Sequence, residues 1–142
     1  MYYVNREQIE QRLHVIPELV QVLNSTAAYE NKTVIERYAE ERALHLAIEV
    51  VTDVGSYLID GFIMRDASSY EDIIDIMFDE KVINGSLHNI FSELVRLRRP
   101  LVQEYFNNSR KEYKELIGHL TSSLEDFSHH VLEYLDKESI PS

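Results

Sequence analysis

The sequence predicts an all-α fold, an antiparallel bundle of four or five helices within one domain. Three observations lead there. Four glycines and three prolines in 142 residues leave few turns, so the elements must be few and long. Apolar residues recur at three- and four-residue steps over most of the chain, which places them along single helical faces. No stretch alternates apolar and polar residues convincingly enough to make a strand. The length suits one core without a linker, so residues 1–142 are read as a single domain.

The first helix carries Ile9, Leu13, Ile16, Val20 and Leu23, with Asn5 three positions before Gln8 as a capping start. Pro17 falls inside it and should bend it or loosen a turn, because proline lacks an N–H and crowds the preceding turn. Polar residues from Asn24 to Lys32 predict the first connection. From about Thr33 to Ile63 a long helix should form the spine, with Leu44, Ala47, Val51, Val54, Leu58 and Phe62 on its buried stripe. Gly55 lies mid-helix at a cost of about 1 kcal/mol relative to alanine, which predicts that a neighbouring helix or partner chain approaches closely there.

Arg65 to Ser69 reads as a turn, after which Ser68 or Ser69 caps a short helix through Phe78. Asn84-Gly85-Ser86 opens the next helix, bearing Leu87, Ile90, Phe91, Leu94 and Val95. That helix runs into Arg98-Arg99-Pro100, where proline predicts a kink or a restarted helix with free N–H groups able to face an anion. The last helix is expected from near Asn108 or Ser109, presenting Tyr113, Leu116, Leu120, Leu124, Phe127, Val131 and Leu135, with a frayed tail from Lys137.

Composition restricts the chemistry. The absence of cysteine excludes disulfides, thiolate metal sites and cysteine nucleophiles, and fits a reducing compartment. With 44% hydrophobic and 27% charged residues, the chain is too apolar for disorder and too evenly punctuated by charge to span a membrane. The opening MYYVNREQIEQRL has no basic segment leading into an apolar one, so a cytoplasmic protein is expected. The dispersed glycines build no phosphate-cradling loop, and no nucleophile elbow occurs. Asp126 and His129 form a single Asp-x-x-His step without the second copy that a di-metal bundle needs, so no metal or other cofactor is predicted. His45, Glu49 and Asp53 share one helical stripe, either a proton-handling ladder or a half-exposed polar seam.

The net charge of −11 hides a local reversal. Arg96, Arg98, Arg99, Arg110, Lys111 and Lys114 face only Glu104 and Glu112 in the same stretch. Such an island marks a small-anion or nucleic-acid site, or a solvated face paired with neighbouring acids.

The segment Val95 to Tyr105, VRLRRPLVQEY, resembles the signature of the HepT branch of the HEPN superfamily: arginine, usually asparagine, two further residues, valine, histidine, any residue, tyrosine. Leu46 to Ile59 is similar to the family's second long helix, with its Asp-x-Gly step at Asp53 to Gly55. The Ser69-Tyr70 opening and the run Asp79 to Ile83 fit as well, and Asp60 to Asp66 resembles the family's YutE-like members. The resemblance implies a helical homodimer with motif residues lining a cleft between the subunits. It further implies a metal-independent ribonuclease toxin acting on RNA, partnered by a nucleotidyltransferase antitoxin that transfers AMP to the motif tyrosine.

Carried over by position, Arg98 is the motif arginine and Tyr105 the AMP acceptor, while Gln103 stands where the family has histidine. Cleavage needs the 2′-hydroxyl deprotonated, the leaving oxygen protonated and the charge on phosphorus stabilised. An imidazole serves the proton steps and a glutamine amide cannot, although Arg98 keeps its planar fork for phosphate. Asp53 is the candidate replacement base and Arg99 an auxiliary cation. The alternative reading is a non-catalytic dimeric module that binds RNA, a nucleotide or a protein.

Overall fold

Asn5 accepts the Gln8 amide at 3.2 Å and starts α1 (Arg6–Leu13), as the spacing predicts. The backbone stays right-handed through His14 and Val15, and Pro17 falls in the first turn of α2 (Ile16–Ala27), where its missing N–H costs little. The predicted bent rod is thus two helices meeting at a short joint. α2 also runs past Asn24, where polar composition predicts a connection. Thr26 is buried, and its hydroxyl donates to the Val22 carbonyl at 3.0 Å, which keeps this polar residue inside the helix.

Thr33 and Glu36 satisfy each other's amides at 3.1 and 2.8 Å and open α3 (Val34–Gly61). Leu44, Ala47, Val51, Val54 and Leu58 are all fully buried along it. Helices α1, α2, α4 (Tyr70–Asp79) and α5 (Gly85–Arg96) pack on this spine. At Gly55 a Cβ would run into Cγ2 of Ile73 and lie 3.2 Å from Cε of Met77, so the predicted close approach is made by α4. The last helix, α6 (Lys114–Glu138), buries Leu120, Leu124, Phe127, Val131 and Leu135 against α2 and α5. Phe91 of α5 and Phe127 of α6 meet edge-to-face at 5.2 Å in the interior.

The computed structural model describes residues 3–107 and 112–138. The start of α6 predicted at Asn108 or Ser109 lies outside the described residues, and the helix begins at Lys114, with Tyr113 before it outside the helix. Among the described residues there is no strand, and no helix is long and apolar enough to cross a membrane.

Both α3 and α4 end without glycine in the left-handed position. Ile63 and Lys81 take φ of 53° and 63°, and the following amides, of Met64 and Val82, donate back to Ile59 and Met77, each at 2.9 Å. A β-branched residue in this region costs about 1–2 kcal/mol, and Ile63 is 77% exposed, so it gains little packing in return. After the extra chain entropy of glycine is subtracted, Ile63→Gly should stabilise the fold by about 0.5–1 kcal/mol, read as a higher midpoint in urea with an unchanged slope.

Candidate functional site

The site is built where α5 gives out. Leu97 and Arg98 remain right-handed helical, and the chain then widens into a π-helical turn at Arg99–Gln103, in which the Glu104 amide donates to the Arg99 carbonyl at 2.8 Å. Pro100 accounts for the widening, because it has no N–H to give Arg96 and its ring crowds that carbonyl. The break predicted near Arg98 and Arg99 is present: α5 ends at Arg96 and a separate five-residue helical turn follows with Pro100 in its first turn. Right-handed geometry at Leu97 and Arg98 leaves that turn without an extended, side-chain-capped start. The wider turn has another consequence. Residues five apart on an α-helix point about 140° away from each other, whereas bonding between residues five apart brings Arg98 and Gln103 towards one side.

Arg98 is half-buried, with its guanidinium carbon over the ring of Tyr70, 4.3 Å from the centroid. Its Nε is buried and makes no hydrogen bond, and no ion pair joins it to any described residue. The other described arginines are engaged. Arg65 grips Asp72 with two bonds of 2.8 Å, Arg6 holds Glu10 and Asp136, Arg12 holds Asp53 and Gln8, and Arg37 and Arg42 bond to Lys32 and His45. Within the basic island, Arg96 reaches Glu71 at 3.8 Å and Arg99 reaches Glu104 at 3.2 Å, while Arg110 and Lys111 lie outside the described residues. Of the island's described cations, Arg96 and Arg99 are paired, while Arg98 and Lys114 have no ion pair among the described residues.

Tyr70 is the first residue of α4, and its place is fixed by the cap around it. Ser69 accepts the Asp72 amide at 3.0 Å, and Asp72 accepts the Ser68 amide at 2.9 Å as well as the Arg65 fork. That fork, followed by the Ser68 amide, holds the Asp72 carboxyl well below the usual carboxylate range. Tyr70 lies outside the Arg98-to-Tyr105 motif, a full helix upstream, and the sequence marks it only through the Ser69-Tyr70 opening of the short helix. Only the packing of α4 on α5 places it against Arg98.

Gln103 is exposed, and Tyr105 and Phe106 stand 77% and 72% exposed in an edge-to-face pair at 5.8 Å. The Tyr105 phenol is open to a large reactant. Asp53 is drawn elsewhere. Its carboxylate takes Arg12 Nε at 3.4 Å, and with Ser56, Tyr57 and Asp60 the pair lines an open hollow of about 320 Å³. Asp53 precedes Gly55 by two residues, about 200° around α3, so it faces α1 while Gly55 faces α4. The chain brings Arg98, Arg99, Gln103 and Tyr105 onto one segment and leaves Asp53 across the spine. His45 lies 3.6 Å from Glu49 and 3.3 Å from Arg42, and with Asp53 held by Arg12 this stripe is a polar seam.

The chain matches the family HepT-like, described as "Ribonuclease HepT-like", over residues 9–131. It is 36% identical over 141 residues to "Putative RNase YutE" of Bacillus subtilis (strain 168), covering 99% of this chain and 96% of the relative. A solved structure called "Structure of Cytosolic Protein of Unknown Function YutE from Bacillus subtilis" superposes with a TM-score of 0.87 at 35% identity, over 100% of this chain and 98% of the other. A crystal structure of a mutant of the toxin-antitoxin MntA-HpeT superposes with a TM-score of 0.67 over 87% of this chain and 93% of the other. At 14% identity that likeness is one of fold.

Proposed function

Because the chain belongs to the HepT-like ribonuclease family, we propose that it is the toxin component of a toxin–antitoxin pair, which grips an RNA phosphate through Arg98 and cleaves RNA without a metal ion. The observation that carries this reading is the state of Arg98, a half-buried guanidinium over an aromatic ring with no ion pair to any described residue and no partner for its buried Nε, whereas each other described arginine has a hydrogen-bond or ion-pair partner. A charge kept open in this way suits an anion that arrives from solution, and the planar fork matches two phosphate oxygens.

In the reaction the ribose 2′-oxygen attacks phosphorus, the bond to the 5′-oxygen breaks, and a 2′,3′-cyclic phosphate and a 5′-hydroxyl result. Arg98 stabilises the charge that gathers on the phosphate oxygens. Gln103 donates its amide hydrogens to the same group but exchanges no proton, so water removes the 2′-proton and supplies the one taken by the leaving oxygen. Two copies of the chain pair so that each lends Arg98 to a shared cleft, and the protein works in the cytoplasm. A second reading, a non-catalytic RNA-binding module, is supported by that same amide at position 103. Incubation with RNA in EDTA separates them: cleavage that depends on Arg98 supports the toxin, and retention of RNA without cleavage supports the module.

Neutralisation in this reading is covalent. A nucleotidyltransferase moves AMP from ATP to the Tyr105 phenol and releases pyrophosphate, and the exposure of that ring supports access. The expected result with the cognate transferase is a mass gain of one adenylyl group, absent in Tyr105→Phe. A gain that persists in Tyr105→Phe would move the acceptor elsewhere.

A further inference from the structure

Resting on the reading of Arg98 as the phosphate-gripping residue, we infer that Tyr70 is its positioning residue, an aromatic shelf that orients the guanidinium without using up its hydrogen-bond donors.

A long, flexible side chain has to be ordered before it can meet two phosphate oxygens at once. The usual device is a carboxylate, and this protein uses it for Arg65, Arg6 and Arg12. A carboxylate at Arg98 would compete with phosphate for the same N–H groups and cancel the charge. An aromatic face holds the cation by its quadrupole and leaves the donors at the rim of the guanidinium available. Arg98 shows that arrangement: its guanidinium carbon is over the Tyr70 ring at 4.3 Å, Nε is shut away from solvent, and no protein acceptor takes it.

The shelf is itself held firmly. Ser69 and Asp72 cap the helix turn on which Tyr70 begins, and the two-pronged Arg65 bridge ties that turn down. Arg96 reaches Glu71 at 3.8 Å, so the end of α5 and the start of α4 are joined next to the stack. Tyr70 is 37% exposed, which separates it from the core. Its ring has more to do at Arg98 than in filling the interior.

The test uses the full-length protein, its Tyr70→Phe, Tyr70→Leu and Arg98→Ala variants, and the Tyr70→Leu/Arg98→Ala pair. The probe is a fluorescent oligoribonucleotide with 2′-O-methyl groups, which binds without being cut, and thermal melting of each variant is followed in parallel. Tyr70→Phe keeps the ring face and should bind within about twofold of the parent, while Tyr70→Leu should lose about 5- to 30-fold at an unchanged melting temperature. In the Arg98→Ala background the Tyr70→Leu change should add nothing. A second readout needs no RNA. The Arg98 Nε–H resonance should be shifted by the ring and protected from exchange in the parent and in Tyr70→Phe, and should lose both properties in Tyr70→Leu.

An Nε–H signal that is the same in Tyr70→Leu as in the parent overturns the inference, as does a full Tyr70→Leu loss in the absence of Arg98, which would make Tyr70 an RNA contact in its own right. If Arg98→Ala binds RNA as well as the parent while the resonance responds to Tyr70→Leu, the shelf stands and the reading of Arg98 as phosphate grip falls.

Discussion

Arg98→Ala should lower the initial rate of RNA cleavage by about 10²- to 10³-fold, the usual consequence of removing one preorganised donor from a charge-stabilising site. The geometry argues for a loss concentrated in function. No carboxylate of the described residues depends on Arg98, so its removal strands no buried charge and also deletes a buried donor that lacks a partner. The melting temperature should therefore move little while the rate collapses. Arg98→Lys should recover only part of the loss, because an ammonium presents a point charge without the planar fork. RNA binding should report the same contact, with the slope of log affinity against log salt falling by about 0.7 when one phosphate contact to a single strand is lost. Initial rates in EDTA on an oligoribonucleotide, read beside melting curves, decide the matter. A variant that cuts as fast as the parent would leave the site without its central residue.

The opposite change is expected one turn further on. Gln103→His should raise the cleavage rate by about 10²- to 10⁴-fold, the range over which a positioned acid–base group contributes. The side chain at 103 is exposed, so an imidazole enters without displacing core atoms, and the π-helical turn brings it towards the side of Arg98. The gain should carry a pH signature. An imidazole near its ordinary pKa of about 6.5 makes the rate bend around neutral pH, whereas the parent, with an amide there, should show no such inflection from position 103. A gain in rate without the inflection would mean that histidine acts by binding alone. RNA retained but uncut by both parent and variant would establish the binding module in place of the enzyme.

Most of the scaffold could be read from local pattern. Asn5 and Ser69 cap helices where the sequence offers them as caps, and Thr33 and Asn84 stand at the helix starts it predicts, because capping is settled within one turn of chain. The buried stripe of α3 and that of α6 follow from period alone. Helix ends were less legible. α3 and α4 close on Ile63 and Lys81 in a conformation that glycine would favour, and the tertiary path after each helix imposes it. Thr26 stays inside α2 because packing buries it while its hydroxyl bonds back to the helix, which composition alone does not show.

The candidate site divides in the same way. Arg98, Gln103 and Tyr105 were legible because they sit on one short segment, and the resemblance of that segment to a family signature lies in its linear order. The exchange of histidine for glutamine is likewise a property of the sequence, and a glutamine amide does not exchange protons as an imidazole does. What the sequence does not hold is the relation between distant residues. Asp53 and Gly55 are near neighbours in the chain, yet the turn of the helix sends one to Arg12 and the other to α4, so the candidate base and the motif arginine end on different sides of the spine. Tyr70 has no place in the motif, and it meets Arg98 only because α4 folds back along α5. Periodicity and capping act over a turn of helix, and so the sequence by itself determined the elements and the chemical groups. Contact between those groups depends on how helices cross, and so only the tertiary structure decided which arginine is left unpaired and what holds it in place.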